Sequence, residues 1–443
     1  YAPTHRRTDA PTHRRTDAPT HRRTDAPTHR RTDAPTTQYH RSKPRPQPHI
    51  HIRGGPMTNL PDDPRLALML LSSIIEPGDA DLDDLLDESD PIEVVKRLWE
   101  GEVPERLRRI TSTAIECTRD PAARALEIAA STRECGARVL IPGDPDWPDQ
   151  LRDLVLACDA DEPHIRPPRC LWVRGEQDLA LICRRSVSIV GSRAATEYGR
   201  HLADDLAADM AEAGWTVVSG GAFGIDKAAH LGALARGGST VSVLACGVEV
   251  SYPQGNHSMF NLIAERGLIV SEWPPGTKVQ KHRFLTRNRV IAALTSGTVV
   301  IEAAHRSGAR NTARYAAELG RVLMFTPGPV TSSMSAGAHQ LAREPWEARL
   351  VTRAEEVIED LTGIGGPLAT PPPPQRRPFD SLMEIEARLV ESLPRGYVVE
   401  TTRLAAAAGI PAEIAAETLD RLLHTGWVDR IDNRWRLSRG GQS

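Results

Sequence analysis

Short apolar runs recur through the middle of the chain: VSIV (Val187–Val190), TVVS (Thr216–Ser219), TVSVLAC, LIVSE, TVVIEAA and VLMFTP. Each is followed by a loop and a stretch with helical spacing, such as Leu202, Leu206 and Met210 after the first, or Ala228, Ala229, Leu231 and Leu234 after the second. Strands alternating with helices in this way predict an α/β fold whose parallel sheet carries helices on both faces. Ligands of such sheets sit at the carboxyl ends of the strands. Ahead of this region, 57–136 reads as helical: RLALMLLSSII, DPIEVVKRLWE and PAARALEIAASTRE carry apolar residues at helical intervals, broken at Pro77-Gly78 and Pro91. Behind it, GIGGPLATPPPPQRRPFD (363–380) reads as a stiff proline-rich linker. Residues 381–443 then give three helical stretches and WVDRIDNRWRLS, which alternates around Asp432-Asn433 as a two-stranded wing does. The expected organisation is therefore a tail (1–56), a helical domain (57–136), a Rossmann-like sheet domain (137–362), a linker (363–380) and a winged-helix domain (381–443).

Charge refines this picture. The formal net charge is -3, but residues 1–56 hold twelve Lys plus Arg against four Asp, leaving 43 basic and 54 acidic residues, a balance of -11, in the rest. An acidic body favours a focused anion site over a broad basic coat. The six cysteines, Cys117, Cys135, Cys158, Cys170, Cys183 and Cys246, form no C-x-x-C pair, so neither a zinc site nor a disulfide framework is indicated. No apolar run approaches membrane-spanning length and no signal segment is visible, so a cytoplasmic protein without a membrane partner is expected.

The focus lies in KVQKHRFLTRNRVIA (Lys278–Ala292), where Lys278, Lys281, Arg283, Arg287 and Arg289 occur without a carboxylate among them. Gly191-Ser192-Arg193 and Ser219–Gly224 open helices, whose bare N–H groups and dipole suit phosphate. VGSRAATEYG lacks G-x-G-x-x-G, and no G-x-x-x-x-G-K-[ST] loop exists to hold ATP. Single-stranded nucleic acid fits better, with the cations on its backbone and Phe284 as a stacking face. The plain alternative makes Phe284 core and the arginines a solvated helix face.

VSIVGSR, SGGAFGIDKAAH, Tyr252-Pro253, SEWPPGT, RFLTRNRVIA, VVIEAAHRSGA and TPGPV resemble, in order and spacing from Ile141 to Leu361, the DNA-processing protein A family, DprA, also called Smf. The resemblance implies an extended Rossmann-like fold, a homodimer, and single-stranded DNA held in a basic pocket and passed to the RecA recombinase during natural transformation. It implies no catalytic activity, no cofactor and no metal. Carried onto this chain, it assigns Arg193 to a phosphate and Ser219, Gly220 and Gly221 to backbone donors. Lys281, Phe284, Arg287, Asn288 and Arg289 line the pocket, and the strand runs past Lys281, Arg283, Arg287 and Arg289. Asn288 serves a base edge or orders its loop; Glu302 fixes an arginine or a backbone amide. Many family members have a basic residue at Phe223, so either a phosphate contact is missing, or Phe223 stacks on a base, or Lys227 supplies the charge. SGARNTA inserts Arg310 and Asn311 where the family has an SGSLITA-like stretch, and the looser AGAHQLA segment, with His339, carries no site.

Other stretches are weighed against this reading. The tandem APTHRRTD units of residues 2–35 have no apolar face and a proline each, so disorder is expected. A basic DNA-binding arm is one reading. The preferred one is upstream sequence translated from a misplaced start, because family-like sequence begins near Met57; the histidines from His5 to His51 are then no metal site. The acidic run Asp79–Asp90 disfavours phosphate and favours packing or partner contact, and Trp147 and Trp172 read as core. On the last helix Glu413, Glu417 and Asp420 outnumber Arg421, favouring protein contact over DNA reading. A nucleotide hydrolase of the phosphoribohydrolase kind is the alternative function, but SGTVVIEAAHRSGA lacks its P-G-G-x-G-T-x-x-E glycines. A transcription factor would explain the C-terminal domain alone. No catalytic constellation can be built from His230, His257, His282 or His305; His230 reads as packing beneath the glycine turn, and Asp226 as capping the helix or ordering the loop.

Overall fold

The computed structural model describes residues 62–155, 157, 165–363, 365–370, 378–394 and 396–438. The repeat tail, its histidines, Cys158 and part of the proline-rich linker lie outside the described residues.

Five helices precede the sheet: α1 (Pro64–Ile74), α2 (Ala80–Glu88), α3 (Pro91–Glu100), α4 (Glu105–Cys117) and α5 (Pro121–Glu134). Asp-Pro starts α1, α3 and α5. The carboxylates of Asp63, Asp90 and Asp120 accept first-turn N–H groups, and the proline stands where no donor is needed. Leu70, Leu71, Val94, Val95, Leu98 and Leu107 form their shared core. The acidic run of α2 packs on basic residues of the same chain: Asp83 and Asp87 meet Arg169 at 2.9 and 2.7 Å, and Asp84 meets Arg166 at 3.4 Å.

The strands are β1 (Ala137–Leu140), β2 (Leu171–Arg174), β3 (Ser186–Val190), β4 (Thr216–Ser219), β5 (Thr240–Leu244), β6 (Leu268–Ser271), β7 (Gly297–Val300), β8 (Val322–Phe325) and β9 (Arg349–Leu350). They form one sheet in the order β1-β2-β6-β5-β4-β3-β7-β8-β9, parallel from β6 to β9, with β1 and β2 added antiparallel at one side. Interleaved are α6 (Leu179–Cys183), α7 (Glu197–Glu212), α8 (Ile225–Ala235), α9 (His257–Arg266), α10 (Arg283–Ala293), α11 (Gly308–Glu318), α12 (Ala336–Leu341) and α13 (Ala354–Thr362). One apolar layer joins Val187, Ile189, Val217 and Val299 to Leu206, Met210 and Ile225; another joins Val218, Val241, Val243 and Val300 to Val290 and Ile291. Trp147 and Trp172 are buried, the latter donating to Thr132 Oγ1 of α5 at 3.0 Å.

From β3 the chain steps outward through β4, β5 and β6, then returns to the other flank of β3 as β7. The loops after β3 and β7 therefore part at the point where winding reverses, the crevice in which open α/β sheets hold ligands. Beyond the linker, α14 (Glu384–Ser392), α15 (Thr401–Ala408) and α16 (Ala412–His424) pack with an antiparallel hairpin, β10 (Val428–Ile431) and β11 (Arg434–Leu437), around Leu389, Leu404, Leu419 and Trp435. Its turn places Asp432 and Asn433 at φ 45° and 61°, as a two-residue hairpin loop requires.

Candidate nucleic-acid interface

Three loops meet at the carboxyl edge of the sheet. The first follows β3. Ser192 N–H donates to the Glu302 carbonyl at 2.6 Å, while the Glu302 carboxylate accepts from the Thr196 amide at 2.8 Å and its hydroxyl at 2.6 Å. Glu302 thus fixes a backbone amide at the start of α7 and leaves Arg193 exposed at the tip.

The second loop is the glycine turn after β4. Its polar groups face inward. Ser219 Oγ donates to Ile189 O at 2.7 Å, Gly220 O accepts from Arg287 at 3.0 Å, and Gly221 O accepts from Asn256 Nδ2 at 3.0 Å. The Ala222 N–H donates to Asp226 at 3.3 Å, so Asp226 orders the loop. A Cβ at Gly220 would stand 2.5 Å from the Arg287 guanidinium, and one at Gly221, where φ is +71°, would stand 2.6 Å from the Phe260 ring. Ser219, Gly220 and Gly221 are all buried, so close packing rather than an open phosphate cradle explains the residue types. The expectation of accessible backbone donors there is corrected.

The third element is the segment entering α10, and here the charge balance differs most from the expectation. Arg289 is fully buried and pairs with Glu272 at 2.5 and 2.7 Å, its Nε donating to Arg166 O at 2.9 Å. Burial lowers its pKa, but Glu272 outweighs that and the net shift is upward. Arg283 is buried against Glu76, just past α1, with Nε 3.1 Å from both carboxylate oxygens and a further Nη2 bond. Trp273 Nε1 reaches the same carboxylate at 2.9 Å. Arg287 is buried beneath the glycine turn, bonded to the carbonyls of Gly220 and Val243. Burial depresses its pKa to about 10, with Asp226 opposing and Arg193 assisting. Burial conversely raises the pKa of Asp226, against the pull of Arg287. Asn288 donates to Gly308 O at 3.3 Å and Asn311 Oδ1 at 3.2 Å, which ties the loop before α11. Carboxylates from outside the segment therefore hold two of its five cations, Arg283 and Arg289, and a third, Arg287, is buried. Arg283, Arg287 and Arg289 are scaffold in this arrangement, since ionised groups withdrawn from water persist only with partners.

The exposed remainder is Arg193, Lys278 and Lys281, with Phe284 half-buried. The Arg193 guanidinium lies 5.0 Å over the Phe284 ring, and the Tyr252 ring is 5.5 Å from it at 45°. Tyr252 and Phe223 are 39 % and 46 % exposed, so the surface interleaves cations with aromatic rings. Tyr252 escaped the sequence reading, which gave its Tyr-Pro pair no role; only a turn near the glycine loop would have flagged it. His230 sits beneath the turn with Nδ1 2.7 Å from Thr240 Oγ1, and burial drives its pKa down to about 3, which keeps the ring neutral. Among the described residues no cluster of His, Cys, Asp or Glu is suited to a metal, and no helix is long and apolar enough to cross a membrane.

The arginines of the C-terminal hairpin have carboxylates beside them as well: Arg430 lies 3.7 Å from Asp420, Arg434 3.7 Å from Glu400, and Arg436 2.9 Å from Asp429.

The family model for DNA recombination-mediator protein A matches residues 138–362. A Mycobacterium tuberculosis relative named for DNA processing protein DprA is 41% identical over 373 residues, covering 84% of this chain and 94% of that one. The DNA processing protein DprA of Bacillus subtilis is 34% identical over 235 residues, 53% of this chain and 74% of that one. The X-ray structure of DNA processing protein A from Streptococcus pneumoniae superposes with a TM-score of 0.50 at 28% identity, covering 67% of this chain and 97% of that chain.

Proposed function

The chain belongs to the DNA recombination-mediator protein A family, DprA or Smf, and from that premise we propose that it binds single-stranded DNA stoichiometrically and hands it to RecA during DNA uptake. The observation that carries the reading is the strip of exposed Arg193, Lys278 and Lys281 beside Phe223, Tyr252 and Phe284 at the carboxyl edge of the sheet. Exposed cations track phosphates, and rings give bases an apolar face that a duplex would keep hidden. Buried Arg287 acts from beneath, adding positive field without touching the strand. A homodimer would join two such strips and raise avidity for longer strands. Protection of incoming DNA, RecA loading and a cytoplasmic location belong to the same proposal. So does the domain scheme: a helical domain (57–136), a DNA-binding sheet domain (137–362), a linker (363–380) and a winged-helix domain (381–443). The carboxylates beside the hairpin arginines support a protein-contact role for that last domain.

The hydrolase reading loses ground. Glu302, the carboxylate within its SGTVVIEAAHRSGA segment, is occupied by Thr196.

The test is a titration of labelled single strand and of the matching duplex across a salt series, with wild type, Arg193→Ala and Lys281→Ala. The expected result is a single-strand preference, with each variant reducing the slope of log affinity against log salt by about 0.7, one phosphate's worth. Equal affinity for duplex, or unchanged slopes, would refute the proposal.

A further inference from the structure

The Phe284 ring has the Arg193 guanidinium over its face and Tyr252 tilted against it. Of the two exposed rings, Tyr252 at 39 % leans on Phe284, and Phe223, 46 % exposed in the glycine turn, is the more open.

Phe223 is held rather than loose. On one side it rests on Gly255, where an added Cβ would stand 3.1 Å from its ring. The turn behind it is fixed by Asn256 Nδ2 on the carbonyls of Gly221 and Ala222, at 3.0 and 3.3 Å, and by Asp226 on the Ala222 amide. Gly224 presses against Ser192 O so closely that a Cβ there would lie 2.2 Å away, which ties the Phe223 turn to the loop carrying Arg193. A partly exposed phenyl ring on a fixed turn, at the ligand edge of the sheet and on the turn that packs against the Arg193 loop, has the placement of a stacking platform: the ring needs little ordering when a base arrives.

We infer that Phe223 stacks on a base of the bound single strand, so that part of this site's affinity comes from a ring face and is insensitive to salt. The inference rests on the single-strand reading above and specifies which residue takes the base.

Binding of a labelled oligothymidylate and of an equally long abasic strand by full-length wild type, Phe223→Ala, Phe223→Leu and Phe223→Trp tests it. Phe223→Ala and Phe223→Leu should weaken oligothymidylate binding by between about 5-fold and about 150-fold, with the salt slope unchanged. Phe223→Trp should retain or improve it. On the abasic strand all four proteins should bind alike. Oligothymidylate affinity within about 2-fold of wild type in Phe223→Ala, or an equal loss on both strands, would overturn the inference while leaving the mediator reading intact. Failure of the wild type itself to bind any single strand would overturn both.

Discussion

Replacing Arg289 by alanine separates a structural cation from a DNA-binding one. Its guanidinium and the Glu272 carboxylate are 0% and 1% exposed, joined by two bonds of 2.5 and 2.7 Å between α10 and the end of β6. Alanine would leave Glu272 ionised in a dry interior with its main partner gone, which costs about 3–5 kcal/mol. For a domain of this size that lowers the unfolding midpoint by roughly 6–20 °C. Thermal and urea unfolding of the full chain measure it, and Arg289→Met with Glu272→Leu, which removes both charges and keeps volume, should recover most of the loss. Single-strand affinity of the folded Arg289→Ala protein should stay within about 2-fold of wild type, because the side chain has no exposed surface. A variant destabilised by less than about 1 kcal/mol that nevertheless stops binding DNA would refute this assignment and return Arg289 to the interface.

Three further outcomes follow from the same geometry. Glu76→Ala should strip Arg283 and Trp273 of their shared acceptor and cost roughly 1–3 kcal/mol, discounted because Glu76 is half-exposed; faster proteolytic cleavage between the helical region and the sheet would register it. His230 has a folded pKa of about 3 against 6.5 when unfolded, so its contribution is complete above pH 6.5 and is lost as pH falls toward 3. Between pH 6.5 and 5 the loss should be about 2 kcal/mol, and His230→Gln should flatten that slope in urea titrations; an unchanged slope would contradict its burial as a neutral ring. Joint alanine substitution of Arg430, Arg434 and Arg436 should leave single-strand affinity within about 2-fold, since each has a carboxylate beside it; a large loss would restore the hairpin as a DNA contact.

The six apolar runs were legible because parallel strands buried on both faces must be continuously apolar. β1, β2 and β9 were not: four residues beside a proline-rich stretch, or two at an edge, carry too little pattern to stand out from loop. At the site, the glycines and cations were visible but their directions were not. Glu76 lies 207 residues from Arg283, and no spacing rule links them. Glu272 was in view, 17 residues from Arg289, yet only the turn between β6 and α10 reveals that the two meet. The glycine turn illustrates the same limit. Sequence identifies where backbone comes close to something, and the partner proved to be Arg287 and Phe260 within the protein.

That turn also constrains how the surface chemistry of this edge can vary. Gly221 is held against the Phe260 ring and Gly224 against the backbone of Ser192 and Arg193, both at positive φ, so a side chain at either would force the turn to shift. Phe223, between Gly221 and Gly224, is 46 % exposed and has its ring against Gly255. The frame is fixed and its tip is exchangeable. A substitution at position 223 can therefore trade a ring for a charge at little expense to folding, since exposed substitutions typically shift stability by no more than about 0.5 kcal/mol.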